Sequence, residues 1–443
     1  MSPVFFSQSL PRFLQAIADQ FGDEAVARGV VIRDATGRLS FISDQSSELQ
    51  DDRASAQQVL SEAVGAYARA DTVVSYADDP GASRLLNDDS FLWVQAGGHS
   101  CRLIDRRIVG SGWIARPQDE VPGPPRIVFA SLKGGVGRST ALAVTATDLV
   151  RRNSNVLVVD LDLEAPGIGN LLLDDDRRPR FGVLDYLVED GIGGVPEEIL
   201  DEFVGISAMN AGAGGRLDVV PVLGQDKVNN PGDVLPMLGR AMIEDISESG
   251  DTIPVSNQIA SMINRLAERK PYDVVLIDSR AGLSELTAPA VLGLGATVLL
   301  FGTAQSQTVE GYKMLFAGLK LLAERDRFDG LMAEWRLLLK LVIAKCSLNE
   351  QILDTYRDEM YEVVSQNLYD NQETTDITDS DIIFDVGDRS APHWPLIIPF
   401  SRDFVDFDPV KEPNQLSHIF YEQIFRDFIN GIEGIISTSA NTR

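Results

Sequence analysis

The chain has little cysteine, histidine or lysine. Its 443 residues include two cysteines, Cys101 and Cys346, widely separated and without a second ligand at metal spacing. No disulfide framework, zinc ribbon or CxxC-bridged cluster is therefore expected. The three histidines, His99, His393 and His418, are scattered, with no serine, cysteine or aspartate beside them at catalytic spacing. Positive charge is scarce as well: 39 Lys and Arg face 66 Asp and Glu, for a formal net charge of −27. Such a surface repels phosphate backbones and anionic headgroups, which argues against non-specific DNA binding and against electrostatic attachment to a membrane. No uncharged run reaches the roughly 18 apolar residues of a membrane span, and the opening MSPVFFSQSLPRFLQ lacks a basic segment followed by an apolar one. A soluble, cytoplasmic protein is the expectation. Lysine is so rare that the first one in the chain is Lys133, which makes arginine the default cation.

What is present is ordinary globular composition, 44% hydrophobic and 24% charged, in a chain long enough for two or three domains at roughly 150 residues each. The segment 117–125, PQDEVPGPP, prevents helix and interrupts strand pairing, so it is read as a linker. Upstream, residues 1–116 read as a small α+β module of unknown role. A helix is expected from Leu10 to Phe21 and a hairpin over GVVIRDATGRLSFIS. A second helix is expected from Ala54 to Arg69, and a second hairpin turns at Gly97 and Gly98. Downstream, over 126–440, continuous apolar runs recur between helical segments: RIVFAS, NVLVVDLD, LDVVPV, YDVVLID, TVLLFG, LLLKLVIAK and PLIIPF. Runs of this kind fit strands buried on both faces. The expected fold class is α/β: a mostly parallel twisted sheet of about seven strands with helices on both faces. Ligands of such sheets lie beyond the carboxyl ends of the strands. Residues 370–388 form a locally acidic insertion, read as a solvated loop.

The most specific segment is RIVFASLKGGVGRSTALAVTATDLV: a buried strand, a glycine-rich loop and a helix. Gly134, Gly135 and Gly137 leave backbone N–H groups free to close around phosphate oxygens, with Val136 between them. The helix opening at Ser139 and Thr140 aims the positive end of its dipole at the same place. Ser139, following the basic residue Arg138, is placed for its hydroxyl to ligate Mg²⁺. Two acidic strand ends accompany this loop. Asp160 and Asp162 alternate along NVLVVDLD and so share a face. Asp278 ends the apolar run of YDVVLID, where a carboxylate can hold a metal-bound water, and Gly282 completes the spacing DxxxG, whose backbone N–H can sense a terminal phosphate.

KGGVGRST resembles the deviant Walker A motif, KGGxGK(S/T), of the ParA/MinD group of P-loop ATPases. More narrowly it is similar to the KGGVGR variants, in which arginine replaces the usual loop lysine. The resemblance covers roughly residues 126–440. It implies ATP and Mg²⁺ as cofactors and an ATP-dependent homodimer in which Lys133 reaches the partner's phosphates. It also implies that Asp162 orients or deprotonates the attacking water and that Asp160 supports the Mg²⁺ shell. Pro166 and Gly167 resemble the switch I segment of the Mrp-like branch. PLIIPFSRDF resembles the loop beside the base, which implies roles for Pro399 and Phe400. After the sixth strand the family usually places Asn-Lys or Asn-Arg, whereas this chain has Ala344-Lys345, with Asn349 further on. Arg138 stands where lysine normally meets the β- and γ-phosphates. Guanidinium can grip two oxygens, so ATP binding should survive, but it is bulkier than a point charge, so hydrolysis should be slow.

Some relatives bind membrane through a basic C-terminal helix. Here HIFYEQIFRDFINGIEGII pairs an apolar face (Phe420, Ile424, Phe428) with Glu422, Asp427 and Glu433, so it is read as a core-packing helix. The expected activity is a slow, Mg-dependent ATPase: a dimerisation switch that regulates or positions a protein partner, itself unidentified. The alternative is a non-hydrolysing nucleotide-dependent adaptor in which Arg138 marks the lost activity, as part of a bacterial multi-gene system such as phage defence.

Overall fold

The computed structural model describes residues 3–47, 53–210, 214–246, 252–370 and 381–441. They fall into two compact units, Met1–Ser111 with Leu319–Met332, and Gly112–Gly318 with Ala333–Arg443.

In the first unit both expected hairpins form. β1 (Val30–Arg33) and β2 (Leu39–Ile42) pair antiparallel around Asp34, whose carboxylate accepts the N–H groups of Thr36 and Arg38, each at 2.9 Å. β3 (Val74–Ser75) joins the outer side of β2. β4 (Leu92–Ala96) and β5 (His99–Asp105) turn on Gly97 and Gly98, both at positive φ as a two-residue hairpin loop requires. β1 and β5 pair in parallel, which completes a mixed sheet in the order β3-β2-β1-β5-β4. The helix Phe6–Phe21 buries Phe13, Leu14 and Ile17. It starts a turn earlier than Leu10, where the Gln8 side chain accepts the Phe5 N–H. The helix Arg53–Val64 ends short of Arg69, because Gly65 at φ +56° diverts the chain into the 3-10 turn Gly65–Tyr67. The end of a long later helix, Ser306–Phe328, also belongs to this unit: the Phe328 ring lies 4.6 Å from that of Trp93.

The second unit is built on the apolar runs. β6 (Arg126–Ser131), β7 (Asn155–Asp160), β8 (Gly205–Ile206) and β9 (Arg216–Val220) come first. β10 (Asp245–Ile246) and β11 (Thr252–Ile253) form a separate ribbon. β12 (Val274–Ala281), β13 (Thr297–Gly302), β14 (Leu339–Cys346) and β15 (Leu396–Pro399) complete the sheet. The order is β15-β14-β13-β6-β12-β7-β9-β8, parallel throughout except for the short edge strand β8. Successive residues of the central strand β6 are all buried, so both faces are covered. One face packs on the helices Arg138–Arg151 and His418–Asn441, where Phe129, Phe301 and Phe428 meet. The helix Thr287–Leu292 packs against β6 and β12. The proline-rich segment lies along this unit: Gln118 donates to the Leu292 carbonyl and Asp119 accepts the Trp335 N–H. Most of the acidic insertion, residues 371–380, lies outside the described residues. No helix among the described residues is long and apolar enough to cross a membrane.

The C-terminal helix is locked to the phosphate-loop helix by a buried charge. Asp148, 1% exposed, accepts from Tyr421 Oη at 2.8 Å, Arg151 Nη2 at 2.8 Å and Arg152 Nε at 2.6 Å. Burial alone would raise this carboxyl. Hydrogen bonds from Arg151 and Tyr421 and the charge of Arg152 outweigh it and hold the group below its ordinary value. A depressed folded value contributes stability that is present above the unfolded value of about 4 and lost as pH falls through the folded one. Asp148→Asn is expected to cost about 2 kcal/mol in urea denaturation at pH 7, and to flatten the loss of stability on acidification.

Candidate functional site

Between Ser131, the last residue of β6, and the helix Arg138–Arg151, the chain makes the glycine loop. Gly135 at φ +76° and Gly137 at φ +92° occupy the left-handed region, where a side chain would be strained. A Cβ at Gly134 or Gly135 would meet no atom within 4 Å. These glycines are therefore not required by packing against neighbours. Val136, 4% exposed, anchors the loop to the core. Gly137 is the N-cap and carries no capping side chain, so the first N–H groups of the helix face the hollow together with its dipole.

Beneath the loop lie the three acids. Asp160 ends β7 and stands in register beside Asp278 of β12, one strand away from β6. Asp278 accepts Arg138 Nε on one oxygen at 2.6 Å and Ser139 Oγ on the other, also at 2.6 Å. Arg138 Nη2 reaches Asp162 Oδ2 at 2.9 Å, and Nη1 lies 3.4 Å from Ser131 Oγ. All four charged groups are nearly shut off from solvent: Asp160 0%, Asp278 1%, Asp162 7% and Arg138 8% exposed. Arg138, expected to grip phosphate oxygens, instead turns its guanidinium inward. Two buried carboxylates attract a permanent cation, and its planar fork spans them.

Burial drives the Asp160 carboxyl well above the ordinary range, and the charge of Asp278 adds to it. Backbone N–H groups of Asp162, at 3.1 Å, and of Gly169 partly offset this, and Gly167 N–H lies 3.3 Å from the other oxygen. The Asp278 carboxyl is raised too, since burial outweighs the charge of Arg138 and the hydrogen bond from Ser139. For Arg138 burial favours the neutral form, but Asp278 and Asp162 outweigh it and hold the proton more firmly. The loop after β7 is tied to the end of β12 by an ion pair between Glu164 and Arg280. Gly282, expected to offer its N–H to a terminal phosphate, donates it at 2.8 Å to the Ser131 carbonyl, because β12 continues past a register shift to pair Ala281 with Ser131. Lys133 is exposed, its ammonium 3.3 Å from Gln307 Oε1, and it touches none of the acids.

The donor set suits Mg²⁺ held jointly with phosphate oxygens. Asp278 and Ser139 converge as hard oxygen donors, and Asp162 Oδ1 is buried without a hydrogen-bond partner. Among the described residues no group of three or more His, Cys, Asp or Glu side chains could hold a metal alone.

On its other side the loop borders a cavity with about 440 Å³ of empty space, part of it open to solvent. Val136, Gly137 and Thr140 line it from the loop, and Pro399 and Phe400 line it from the end of β15. Lys345, noted in the sequence where the family usually has the second residue of Asn-Lys or Asn-Arg, lines it as well, as do Phe404 and Phe425, which were not read as site residues from the sequence. Phe404 stands next to the recognisable PLIIPFSRDF run, and the Phe404 and Phe425 rings lie 5.1 Å apart. Asn349 is not part of the site: its side chain caps the helix Glu350–Leu368 by accepting the Gln351 N–H at 3.0 Å.

Because the acids and Arg138 share one buried network, removing one member strands the others. Asp278→Ala leaves the guanidinium with half its compensation and is expected to cost about 3 kcal/mol by chemical denaturation. Ser139→Ala, which removes one neutral donor, should cost about 1 kcal/mol. Equal losses for the two variants would contradict this account of the network.

The sequence matches, over residues 127–376, the family described as the CobQ/CobB/MinD/ParA nucleotide binding domain. Comparison with curated proteins gives no match. Among solved structures, similarity is found to a plasmid partition protein from Borrelia burgdorferi, with 20% identity over 68% of this chain and 100% of the other and a TM-score of 0.35. The MinD cell division protein of Aquifex aeolicus is 19% identical over 70% of this chain and 97% of its own, with a TM-score of 0.39. The ParA protein of pNOB8, solved bound to nonspecific DNA, is 14% identical over 72% of this chain and 99% of its own, with a TM-score of 0.41. With a phosphate-type loop on its central strand, acids at the neighbouring strand ends and a family match over more than half its length, the chain belongs to the CobQ/CobB/MinD/ParA nucleotide-binding domain family.

Proposed function

We propose that this protein is an ATP-driven dimerisation switch of the cytoplasm, in which the second unit binds and slowly hydrolyses ATP and a protein partner reads the nucleotide-bound dimer. The observation that carries this reading is the position of Asp278 under the glycine loop, with Ser139 on one carboxylate oxygen and Arg138 on the other. That arrangement joins a phosphate cradle to a metal-type donor pair. Ser139 and Asp278 are the residues that would hold Mg²⁺, and Asp160 supports them from the adjacent strand. When bound, the metal supplies charge neutralisation for the phosphates. Gly134, Gly135, Val136, Gly137 and Thr140 present the loop and helix N–H groups, while Pro399 and Phe400 face the adenine ring.

Asp162 is the residue assigned to the attacking water. Its Oδ1, buried and unpartnered, is free to accept a hydrogen bond from that water. Arg138 orients Asp162 and Asp278 rather than the phosphates. Lys133, at the exposed rim of the loop, is the group available to cross to a second protomer. Gly282 follows the acid on β12 and couples nucleotide state to the segment after it. Dimer formation changes populations rather than demanding rapid turnover, so slow hydrolysis suits the task.

A second reading is favoured by one contact. Arg138 Nη2 lies on Asp162 Oδ2, so the carboxylate assigned to water is partly neutralised, as in a nucleotide-dependent adaptor that no longer hydrolyses. Steady-state ATP turnover and light scattering separate the two. For the switch, Asp162→Ala lowers turnover on the order of a hundredfold and accumulates an ATP-bound dimer, whereas Lys133→Ala abolishes the dimer and keeps nucleotide affinity. Arg138→Lys, which removes the planar fork, is expected to raise turnover. A native chain that retains ATP with no turnover at high protein concentration establishes the adaptor instead.

A further inference from the structure

The usual cation of a phosphate loop is missing from the phosphate side of this one, because the charge of Arg138 is spent on Asp162 and Asp278. From the neighbouring cavity, on the other side of the loop, a different cation meets it. Lys345 Nζ donates to the Gly135 carbonyl at 2.7 Å, and a Cβ on Gly137 would come within 3.4 Å of Lys345 Cε. Lys345 also lines the cavity that holds Pro399 and Phe400. Its ammonium carries three donors, and the carbonyl takes one. Among the described residues no carboxylate pairs with it.

The backbone that delivers this side chain is strained. Lys345 has φ +54°, a left-handed region that a long unbranched residue enters only at a cost. The cause is a bulge: β14 pairs Ala344 with Ile398 and Cys346 with Pro399, leaving Lys345 over. Glycine would fill such a position without strain, and asparagine with less. Neither has the reach to place a positive charge on the loop. The strain is explained if the charge is what the position retains.

We propose that Lys345 is the phosphate-binding cation of this site: it contacts the diphosphate of a bound nucleoside di- or triphosphate and replaces the charge that Arg138 withholds. This rests on the reading above that nucleotide phosphates enter the glycine loop. The alternative is a staple that only steadies the loop through Gly135.

Binding of ADP and adenosine to the full chain, measured by displacement of a fluorescent ADP analogue, tests it with three variants. Lys345→Gln keeps a donor for the Gly135 carbonyl but no charge, and is expected to weaken ADP about tenfold while changing adenosine less than about twofold. Lys345→Arg restores most of the ADP affinity. Lys345→Gly relieves the positive φ, so it is expected to melt at a temperature no lower than the native chain while showing the same loss for ADP; this keeps a folding defect from imitating the result. Unchanged ADP affinity in the Gln and Gly variants overturns the proposal and leaves the nucleotide site standing, as do equal losses for ADP and adenosine. A native chain that binds no ADP overturns the nucleotide reading and this proposal together.

Discussion

A single buried guanidinium organises the site. Arg138 lies between Asp278 and Asp162, at 2.6 and 2.9 Å, with all three side chains nearly inaccessible to water. Two carboxylates brought this close would repel, and each would carry the cost of desolvation. The guanidinium offsets both penalties, and it stays charged because the acids favour its proton more than burial opposes it. Asp160 lies behind this pair without a cation of its own. It meets the problem differently: burial and the field of Asp278 push its carboxyl upward, toward the protonated form. The site is a graded set, with one acid tending to neutrality, two paired to a base, and a hydroxyl closing the fourth position through Ser139.

The sheet makes that set possible. In a parallel ladder, β7 and β12 put Asp160 and Asp278 side by side, and the same ladder places β12 next to β6, whose end launches the loop. One helix then carries Arg138 and Ser139 over the acids while its far end is fastened to the C-terminal helix through Asp148 and Tyr421. The position of the loop is thus set at both ends of a single helix, by charge at one and by a charge-assisted hydrogen bond at the other.

Much of this was legible in the sequence, because the information is local. Runs such as RIVFAS and TVLLFG fit strands covered on both sides, and they form such strands. Asp34 and the pair Gly97-Gly98 announce their turns by chemistry that does not depend on the rest of the chain. Features that depend on distant partners were not legible. β8 has two residues and exists only because β9 offers an edge. The C-terminal part of the helix Ser306–Phe328 joins the first unit through a ring that meets Trp93, a pairing without a sequence signature. The direction of Arg138 follows from two acids that lie 24 and 140 positions away. The bulge at Lys345 depends on how β14 and β15 slip, so a lysine in an ordinary strand and a lysine at positive φ look identical on paper.

These features explain why arginine rather than lysine suits position 138. A lysine ammonium is compact and strongly hydrated, and it cannot bridge acids on two strands with fixed geometry; a guanidinium can. Placing arginine there moves one positive charge from the ligand side of the loop to the protein side. The acids gain a permanent partner, and the loop loses attraction for anions. A second cation must then face the phosphate side if a polyphosphate is to be held in a protein whose net charge is −27. Arg138 and Ser139 take different oxygens of Asp278, so on the proposed reading a cation held beside Ser139 shares the carboxylate with the guanidinium, and each draws on the same negative charge. On that reading the coupling is reciprocal: by whatever free energy the inward pair weakens the ligand, the ligand weakens the inward pair.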